Sequence, residues 1–223
     1  MAGSASRRRA GLSRDRVFEA ALRIADAEGV EALSMRRLGR ELGVEAMSLY
    51  HHVPDKAAIV AGLAGRVFAE VTVPTADPAA DWRTVLGRLL WSLRGTLLRH
   101  PGALPAVATH EVTAGPGLAL YEAAMRLLHD AGFDLARANY ALNNLVTYTI
   151  GHCLAMAGRP PLGVAEPTAA QRRETAAALD PDRYPTVAAW LAQLGDTGYD
   201  ADALYEQGLT ALLDGLAEPH GHG

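Results

Sequence analysis

Apolar residues recur every three or four positions through most of the chain, and glycine or proline separates one such run from the next. This spacing places apolar side chains on one face of a helix, so the chain is predicted to be all-α. The first run starts after Ser13, a good N-cap, and stops at Gly29. Its apolar stripe is expected to be core: Val17, Ala20, Ala21, Ile24 and Ala25.

The stretch 33–56 predicts two short helices with almost no loop between them. Ser34 caps the first helix, and Leu38 and Leu42 share its apolar face. Gly43 can take a positive φ without a Cβ clash, which permits a sharp turn into the second helix. That second helix has few core anchors, so we expect it to be displayed. This arrangement is a helix-turn-helix, whose second helix enters the major groove of DNA.

A further helix is predicted from Pro54 to about Val71, because proline suits the first turn of a helix. Pro74 and Pro78 then exclude a helix and indicate a boundary. These signals divide the chain into five predicted parts: a disordered basic arm at 1–12, a helix-turn-helix DNA-binding domain at 13–71, a linker at 72–81, a helical domain at 82–217 and a tail at 218–223.

The C-terminal domain keeps the same helical period. Helices are predicted at 82–100, 118–131, 134–158, 185–194 and 200–216, with a short irregular helix lining a cavity within 102–117 and a long loop at 158–181 that holds a short helix at 169–179. Apolar residues surround most of the helix at 134–158, so both of its sides should be covered. One side can face its own core and the other a second subunit, or the chain can be a monomer with a thick core.

Composition narrows the class of protein. The chain has 223 residues, 49% of them hydrophobic, which is enough for a packed core. No uncharged apolar run reaches membrane-spanning length and no signal peptide is evident, so we expect a cytoplasmic protein without membrane association. The single cysteine, Cys153, excludes an intrachain disulfide and is interpreted as a buried thiol.

Charge is distributed unevenly along the chain. The formal net charge is −4, yet residues 1–70 hold 11 basic and 9 acidic side chains, against 10 and 16 in the remainder. Nine basic residues of this first part can form one phosphate-binding face, or they can serve solubility alone: Arg7, Arg8, Arg9, Arg14, Arg16, Arg36, Arg37, Arg40 and Lys56. We hypothesise that Arg7, Arg8 and Arg9 add an electrostatic contribution to DNA binding.

The run from Gly29 to Lys56 resembles the signature of the tetracycline-repressor-like (TetR family) transcriptional regulators. The resemblance implies an N-terminal three-helix head and a C-terminal helical domain for ligand binding and dimerisation. It also transfers the family's DNA-contacting positions onto Arg36, Arg37, Ala46, Met47, Ser48, Tyr50, His52 and Lys56. Ala46 and Met47 stand where polar or proline side chains often occur in relatives, so the operator sequence cannot be borrowed. Tyr50 can contact DNA or serve packing.

A homodimer on palindromic double-stranded DNA and a small-molecule effector are the expected partners. The helices at 134–158 and 200–216 would form a four-helix bundle across the two-fold axis. Its interface candidates are Leu142, Leu145, Val146, Ile150, Leu204, Gly208, Leu209, Leu212 and Leu216. The candidates for the effector pocket are mainly apolar with a few polar groups: Trp82, Leu86, Leu90, Trp91, His100, Leu104, Val107, Thr109, His110, Leu127, Asn143, Thr147, Tyr148, His152 and Trp190.

Common catalytic and cofactor motifs are absent from the sequence. It contains no Walker A, Rossmann, nucleophile-elbow, His-Glu-x-x-His or CxxC pattern, so we expect no enzyme activity, cofactor or metal. The histidines of the C-terminal domain fit no compact ligand spacing and are interpreted as pocket or core residues.

The sequence is therefore interpreted as a ligand-responsive DNA-binding transcriptional regulator. We expect a repressor that releases a palindromic operator when a small molecule binds its C-terminal domain. Two alternatives stay open, a helical DNA-binding protein without small-molecule control and an α-helical enzyme.

Overall fold

The computed structural model describes residues 12–74, 80–109, 115–158, 168–194 and 200–217, and within these ranges its regular structure is entirely helical. The prediction of an all-α chain is confirmed. The head comprises α1 (Arg14–Glu28), α2 (Met35–Leu42), α3 (Ala46–Leu49) and α4 (Lys56–Ala69). The body comprises α5 (Trp82–Arg99), α6 (Leu104–Thr109), α7 (Gly115–Asp130), α8 (Leu135–Gly158), α9 (Ala169–Ala178), α10 (Pro185–Leu194) and α11 (Ala201–Ala217).

Side-chain caps fix where the head helices begin. Ser13, Ser34 and Asp55 each accept a hydrogen bond from the backbone N–H three residues further on, at 3.3, 3.1 and 2.8 Å. The sequence predicts Pro54 within the first turn of the fourth helix, whereas α4 begins at Lys56 because Asp55 is its N-cap. The other two caps lie where the sequence predicts them.

The segment predicted as one short irregular helix at 102–117 contains three pieces. A 3-10 turn over Pro101–Ala103 leads directly into α6, and α7 already begins at Gly115, three residues before the predicted start. The first eleven residues and residues 75–79, which include parts of the predicted arm and linker, lie outside the described ranges.

The head is built around the apolar stripe of α1, which packs against α4. All five stripe residues expected to be core are at most 1% exposed. Leu38 of α2 and Ile59 and Leu63 of α4 complete this core and are also fully buried. In the body, α5 and α8 pack together, and α4 also contacts α6 and α7. The fourth helix of the head is therefore part of the core of the body as well.

His100 joins head and body at the C-terminal end of α5. Its Nδ1 lies 2.8 Å from Oδ2 of Asp26 in α1, and its Nε2 lies 3.0 Å from Oε2 of Glu70 at the end of α4. Arg99 also approaches Glu70, at 3.4 Å. Burial alone lowers the pKa of His100, but the hydrogen bonds to the two carboxylates outweigh it and raise the pKa above the usual value. The imidazolium form can donate to both carboxylates at once.

Gly102, two residues later, brings the 3-10 turn against the end of α1. A Cβ at this position would lie 1.8 Å from the carbonyl oxygen of Ala25, which is a backbone atom that cannot rotate away. The absence of a side chain is therefore what lets the two backbones meet. Together, His100 and Gly102 define the joint between head and body.

We expect Gly102→Ala to destabilise the protein by about 1–3 kcal/mol, the usual cost of forcing a methyl group into an already packed contact. Gly95→Ala in α5 is the matched control, because nothing lies within 4 Å of a Cβ there. Urea unfolding of both variants measures the difference. Equal stability of Gly102→Ala and wild type would contradict the close approach.

The joint also predicts a pH dependence of stability. Because folding raises the pKa of His100, its contribution is complete below the ordinary value of 6.5 and is lost as pH rises through the folded-state pKa. The difference in melting temperature between wild type and His100→Asn should therefore be larger at pH 6 than at pH 8.5. His152 titrates in both proteins, so its effect cancels in this difference. A difference that stays constant or grows with pH would argue against a protonated His100.

Candidate functional site

The turn between α2 and α3 has the geometry that the sequence predicts. Gly43 adopts φ 67° and ψ 34°, which is the left-handed region, and its N–H donates to the carbonyl of Arg40 at 3.3 Å. The N–H of Val44 donates to the carbonyl of Gly39 at 2.9 Å. These bonds close the end of α2 and direct the chain into α3 within three residues.

The second helix is displayed, as expected. Leu49 and Val53 are fully buried and hold it to the head, whereas the side chains of Met47 and Tyr50 are 73% and 48% exposed. Such exposure of two large residues on a short helix has no packing explanation. It leaves both side chains accessible to a partner.

The eight DNA-contact candidates fall into two groups by exposure. Four side chains are exposed, and the others are partly buried: Arg36, Met47, Tyr50 and Lys56 in the first group, and Arg37, Ala46, Ser48 and His52 in the second. Lys56 stands at the first position of α4, next to the end of the displayed segment. The head thus presents an arginine, a lysine and an aromatic side chain together with a thioether.

Arg37 differs from the other candidates because its guanidinium is already bound. Its Nε donates to Glu28 at 3.1 Å and its Nη1 lies 3.0 Å from Glu41. These two carboxylates raise the pKa of Arg37 further above its usual value. The side chain therefore ties α2 to the end of α1, and a role in DNA contact stays a prediction.

Arg40 is not one of the eight DNA-contact positions, although the sequence places it among the basic residues that can form a phosphate-binding face. It lies one helical turn after Arg36, and both border an open groove beside the turn at Gly43. Its side chain is exposed. The spacing of four residues was visible in the sequence, and it places a second guanidinium on the same helix face.

A cavity lies in the body between α4, α5, α7 and α8. Its volume is about 100 Å³, and it is partly open to solvent. Its described lining residues are Phe68, Val71, Leu86, Leu89, Leu90, Leu93, Gly117, Leu120, Tyr121, Ala124, Leu142 and Val146. Two of these, Phe68 and Val71, come from the C-terminal end of the fourth head helix and from the residue just beyond it.

Of the pocket candidates named from the sequence, Leu86 and Leu90 line this cavity. Most of the others lie in core packing or on the surface. Leu104, Val107 and His152 are buried, Trp82, Trp91, Leu127 and Tyr148 are partly buried, His100 occupies the joint, and Thr109, Asn143, Thr147 and Trp190 are exposed. His110 lies outside the described residues.

The sequence contained a signal for the lining residues that were missed. Positions 86, 89, 90 and 93 repeat at helical spacing, as do 117, 120, 121 and 124. Each set is one stripe on one helix. Spacing cannot distinguish a stripe that faces a cavity from one that faces solid core.

A polar cluster lies where α5, α8 and α11 meet. The hydroxyl of Tyr205 donates to the carbonyl of Leu90 at 3.2 Å and lies 2.9 Å from the hydroxyl of Thr149. Arg94 stacks over the ring of Tyr205 at 5.0 Å and binds Asp202 at 2.6 Å. Burial lowers the pKa of the neighbouring His152, and the charge of Arg94 lowers it further.

The dimer-interface candidates divide between the core and the outside of the single chain. Leu142, Leu145 and Leu209 are at most 3% exposed and Val146 lines the cavity, so these four side chains already face their own protomer. Gly208 packs against Tyr148 of the same chain, since a Cβ there would overlap the tyrosine hydroxyl. Ile150, Leu212 and Leu216 are partly buried and Leu204 is 38% exposed. Only these last four reach the outer surface of the bundle.

Two further features of the described residues bear on the class of protein. None of their helices has the length and apolar character needed to cross a membrane. No group of three His, Cys, Asp or Glu side chains among them is arranged to hold a metal ion. Cys153 is buried, as expected, and burial raises the pKa of its thiol to about 11.

A displayed helix after a tight glycine turn, joined through one helix to a body with a cavity, defines a helix-turn-helix regulator. Two family models match the chain in agreement with this. Residues 17–63 match the bacterial regulatory proteins of the tetR family, and residues 73–219 match the tetracyclin repressor-like C-terminal domain. The chain belongs to the TetR family of transcriptional regulators.

Curated relatives extend the similarity over nearly the whole chain. The class C tetracycline repressor of Escherichia coli is 31% identical over 207 residues, which cover 92% of this chain and 90% of the relative. The transcriptional repressor DrrR1 of Streptomyces coeruleorubidus is 30% identical over 211 residues, which cover 92% of this chain and 77% of the relative.

Solved structures share the fold. ActR of Streptomyces coelicolor in complex with actinorhodin superimposes with a TM-score of 0.80 at 30% identity, covering 96% of this chain and 100% of that one. The same protein in complex with (S)-DNPA gives a TM-score of 0.76 at 29% identity, with coverages of 93% and 98%. ActR therefore has the same two-part arrangement with a small molecule bound.

Proposed function

We propose that this regulator is a homodimeric repressor that binds a palindromic operator and releases it when a small molecule enters the cavity between α4, α5, α7 and α8. The proposed division of the chain keeps 13–71 as the DNA-binding domain, 72–81 as the linker and 82–217 as the effector and dimerisation domain. The basic arm at 1–12 and the tail at 218–223 flank them.

One observation carries this proposal: a single helix touches both sites. Lys56 begins α4 beside the displayed helix, while Phe68 and Val71 at its far end line the cavity. An occupant that displaces Phe68 must shift α4 or deform it, and helices transmit such shifts as rigid elements. Because α4 also packs on α1, the whole head moves with it.

Release of DNA then follows because the ligand binds the protein with different affinity in two positions of the head. The dimer binds two half-sites about one helical turn, 34–36 Å, apart. A ligand that binds better when α4 is displaced shifts the population away from the spacing that fits DNA. The bound small molecules of ActR, actinorhodin and (S)-DNPA, support this assignment by similarity.

The proposed DNA contacts combine phosphate binding with contacts to bases. Arg36, Arg40 and Lys56 supply charge for phosphates, and Tyr50 and Met47 project furthest from the head. Met47 can contact a thymine methyl group but cannot read a base by hydrogen bonds. Because α3 is so short, we expect Arg36 and Arg40 of the preceding helix to help hold the head on the DNA.

The experiment that tests the DNA surface is operator binding as a function of salt, using DNA upstream of the chain's own gene. We expect Lys56→Ala to weaken binding and to reduce the slope of log affinity against log salt by about 0.9, the value for one lost phosphate contact. Tyr50→Ala should weaken binding with little change in slope.

The matched control is Arg126→Ala in α7, which removes one exposed positive charge from the body. Its salt slope should equal that of wild type. A slope that falls equally in Lys56→Ala and Arg126→Ala would mean that net charge, and not the head surface, explains the binding.

The dimer surface gives a second prediction. Leu204 is 38% exposed in one protomer, so Leu204→Asp should leave the protomer folded while placing a charge in the proposed interface. We expect at least a tenfold weaker dimer by sedimentation, a rough figure for one buried unpaired charge, together with loss of operator binding.

Leu118→Asp in α7 is the control, since its side chain is exposed to a similar degree, 43%. It should remain dimeric. If Leu204→Asp sediments as wild type does, α11 is not the interface.

A further inference from the structure

The described part of the cavity wall is almost entirely hydrocarbon. Among its described lining residues, eleven carry aliphatic or phenyl side chains or are glycine, and the other is Tyr121. The hydroxyl of Tyr121 is not offered to the cavity as a free donor, because it donates to Oδ1 of Asn139 in α8. Asn139 in turn accepts a hydrogen bond from Asn143 at 2.9 Å. The one polar group of the wall is thus held by a neighbour on α8.

The ionisable groups of the neighbouring elements are also engaged elsewhere. Arg94 follows the lining residue Leu93, yet it points to the opposite side of α5, over Trp91 at 4.9 Å and toward Asp202. His100 is bound to the two carboxylates of the joint. A charged group inside the cavity would therefore find no counter-ion among the described lining residues.

The apolar wall of the cavity favours uncharged ligands over charged ones. Apolar surface gains free energy on leaving water, in proportion to its area. A carboxylate or an ammonium group that enters the same space loses its hydration and receives nothing in return. Neutral rings would contact the leucines of α5 and also Phe68, which belongs to the head helix α4.

We propose that this cavity takes an uncharged, mainly hydrocarbon or aromatic molecule, and that it rejects a carboxylate built on the same rings. This inference rests on the proposed function, because it assigns the effector class to the cavity that the proposal makes the effector site. The proposed selectivity rests on the lack of a counter-ion among the described lining residues.

The experiment compares naphthalene with naphthalene-2-carboxylate, which share their rings and differ in charge at pH 7.5. Each compound is added to the full chain, and the unfolding temperature and the binding of the upstream operator duplex are measured in the same samples. We expect naphthalene to stabilise the protein and to release the duplex. The carboxylate should bind at least roughly tenfold more weakly, since its charge is left without a partner.

Two neighbouring alanines on α7 provide matched variants. Ala124 is 5% exposed and lines the cavity, whereas Ala123 is exposed to solvent. Ala124→Phe should fill the space and lose the response to naphthalene, while Ala123→Phe should keep it. Val146→Phe, at a partly buried lining position on α8, should also lose the response and serves if Ala124→Phe does not fold.

Each outcome separates the two levels of the proposal. Equal binding of the carboxylate, or an undiminished response in both filled variants, would overturn the assignment of a neutral ligand. A protein that binds its operator but is not stabilised by naphthalene would overturn it too, and would leave repression intact. Stabilisation by naphthalene without release of DNA would support the cavity chemistry and refute the effector mechanism.

Discussion

The contact of the 3-10 turn at Pro101–Ala103 with the end of α1 decides how the two halves of the molecule meet. Here Gly102 lets two backbones approach, and His100 places one imidazole between Asp26 of α1 and Glu70 of α4. Neither carboxylate belongs to the body, yet both are bound by a side chain of its first helix. The head is therefore held at two of its helices by one residue, and a rotation of α4 alone would break one bond and keep the other.

The fourth helix gains its importance from this geometry. It is buried on one side against α1 and on another against α6 and α7, and its final turn and Val71 line the cavity. A helix packed on both sides cannot move one end while the other stays in place, because closely packed interfaces are poorly compressible. Its Lys56 and its Phe68 are three turns apart on the same rigid element. Cavity and DNA surface are coupled by packing, without any special relay of side chains.

Local chemistry made the head predictable from the sequence. Ser13 and Ser34 act through side-chain hydrogen bonds to the backbone three residues further on, and Gly43 acts through its own backbone conformation, so a few neighbouring residues determine the result. The cavity was less accessible to prediction, because apolar stripes on α5 and α7 look alike whether they face a void or a core. His100 was mistaken for a pocket residue, since its partners lie 74 and 30 positions away in the chain. For Leu142 and Leu145 the cause is different: a helix that is apolar on all sides offers its residues equally to core and interface, and both side chains are buried in their own protomer.

The helix α5 connects the cavity to the outer bundle through its two faces. The side chain of Leu90 lines the cavity, while its carbonyl accepts a hydrogen bond from the hydroxyl of Tyr205 in α11. Arg94 lies one turn further along α5 and is nearly buried. Its counter-charge is Asp202, which belongs to α11 as Tyr205 does. Losing Asp202 would leave a buried cation unpaired, which is far more costly than losing a surface ion pair. The position of α11, and with it the face proposed for dimerisation, is thus fixed by polar contacts to the very helix that encloses the ligand.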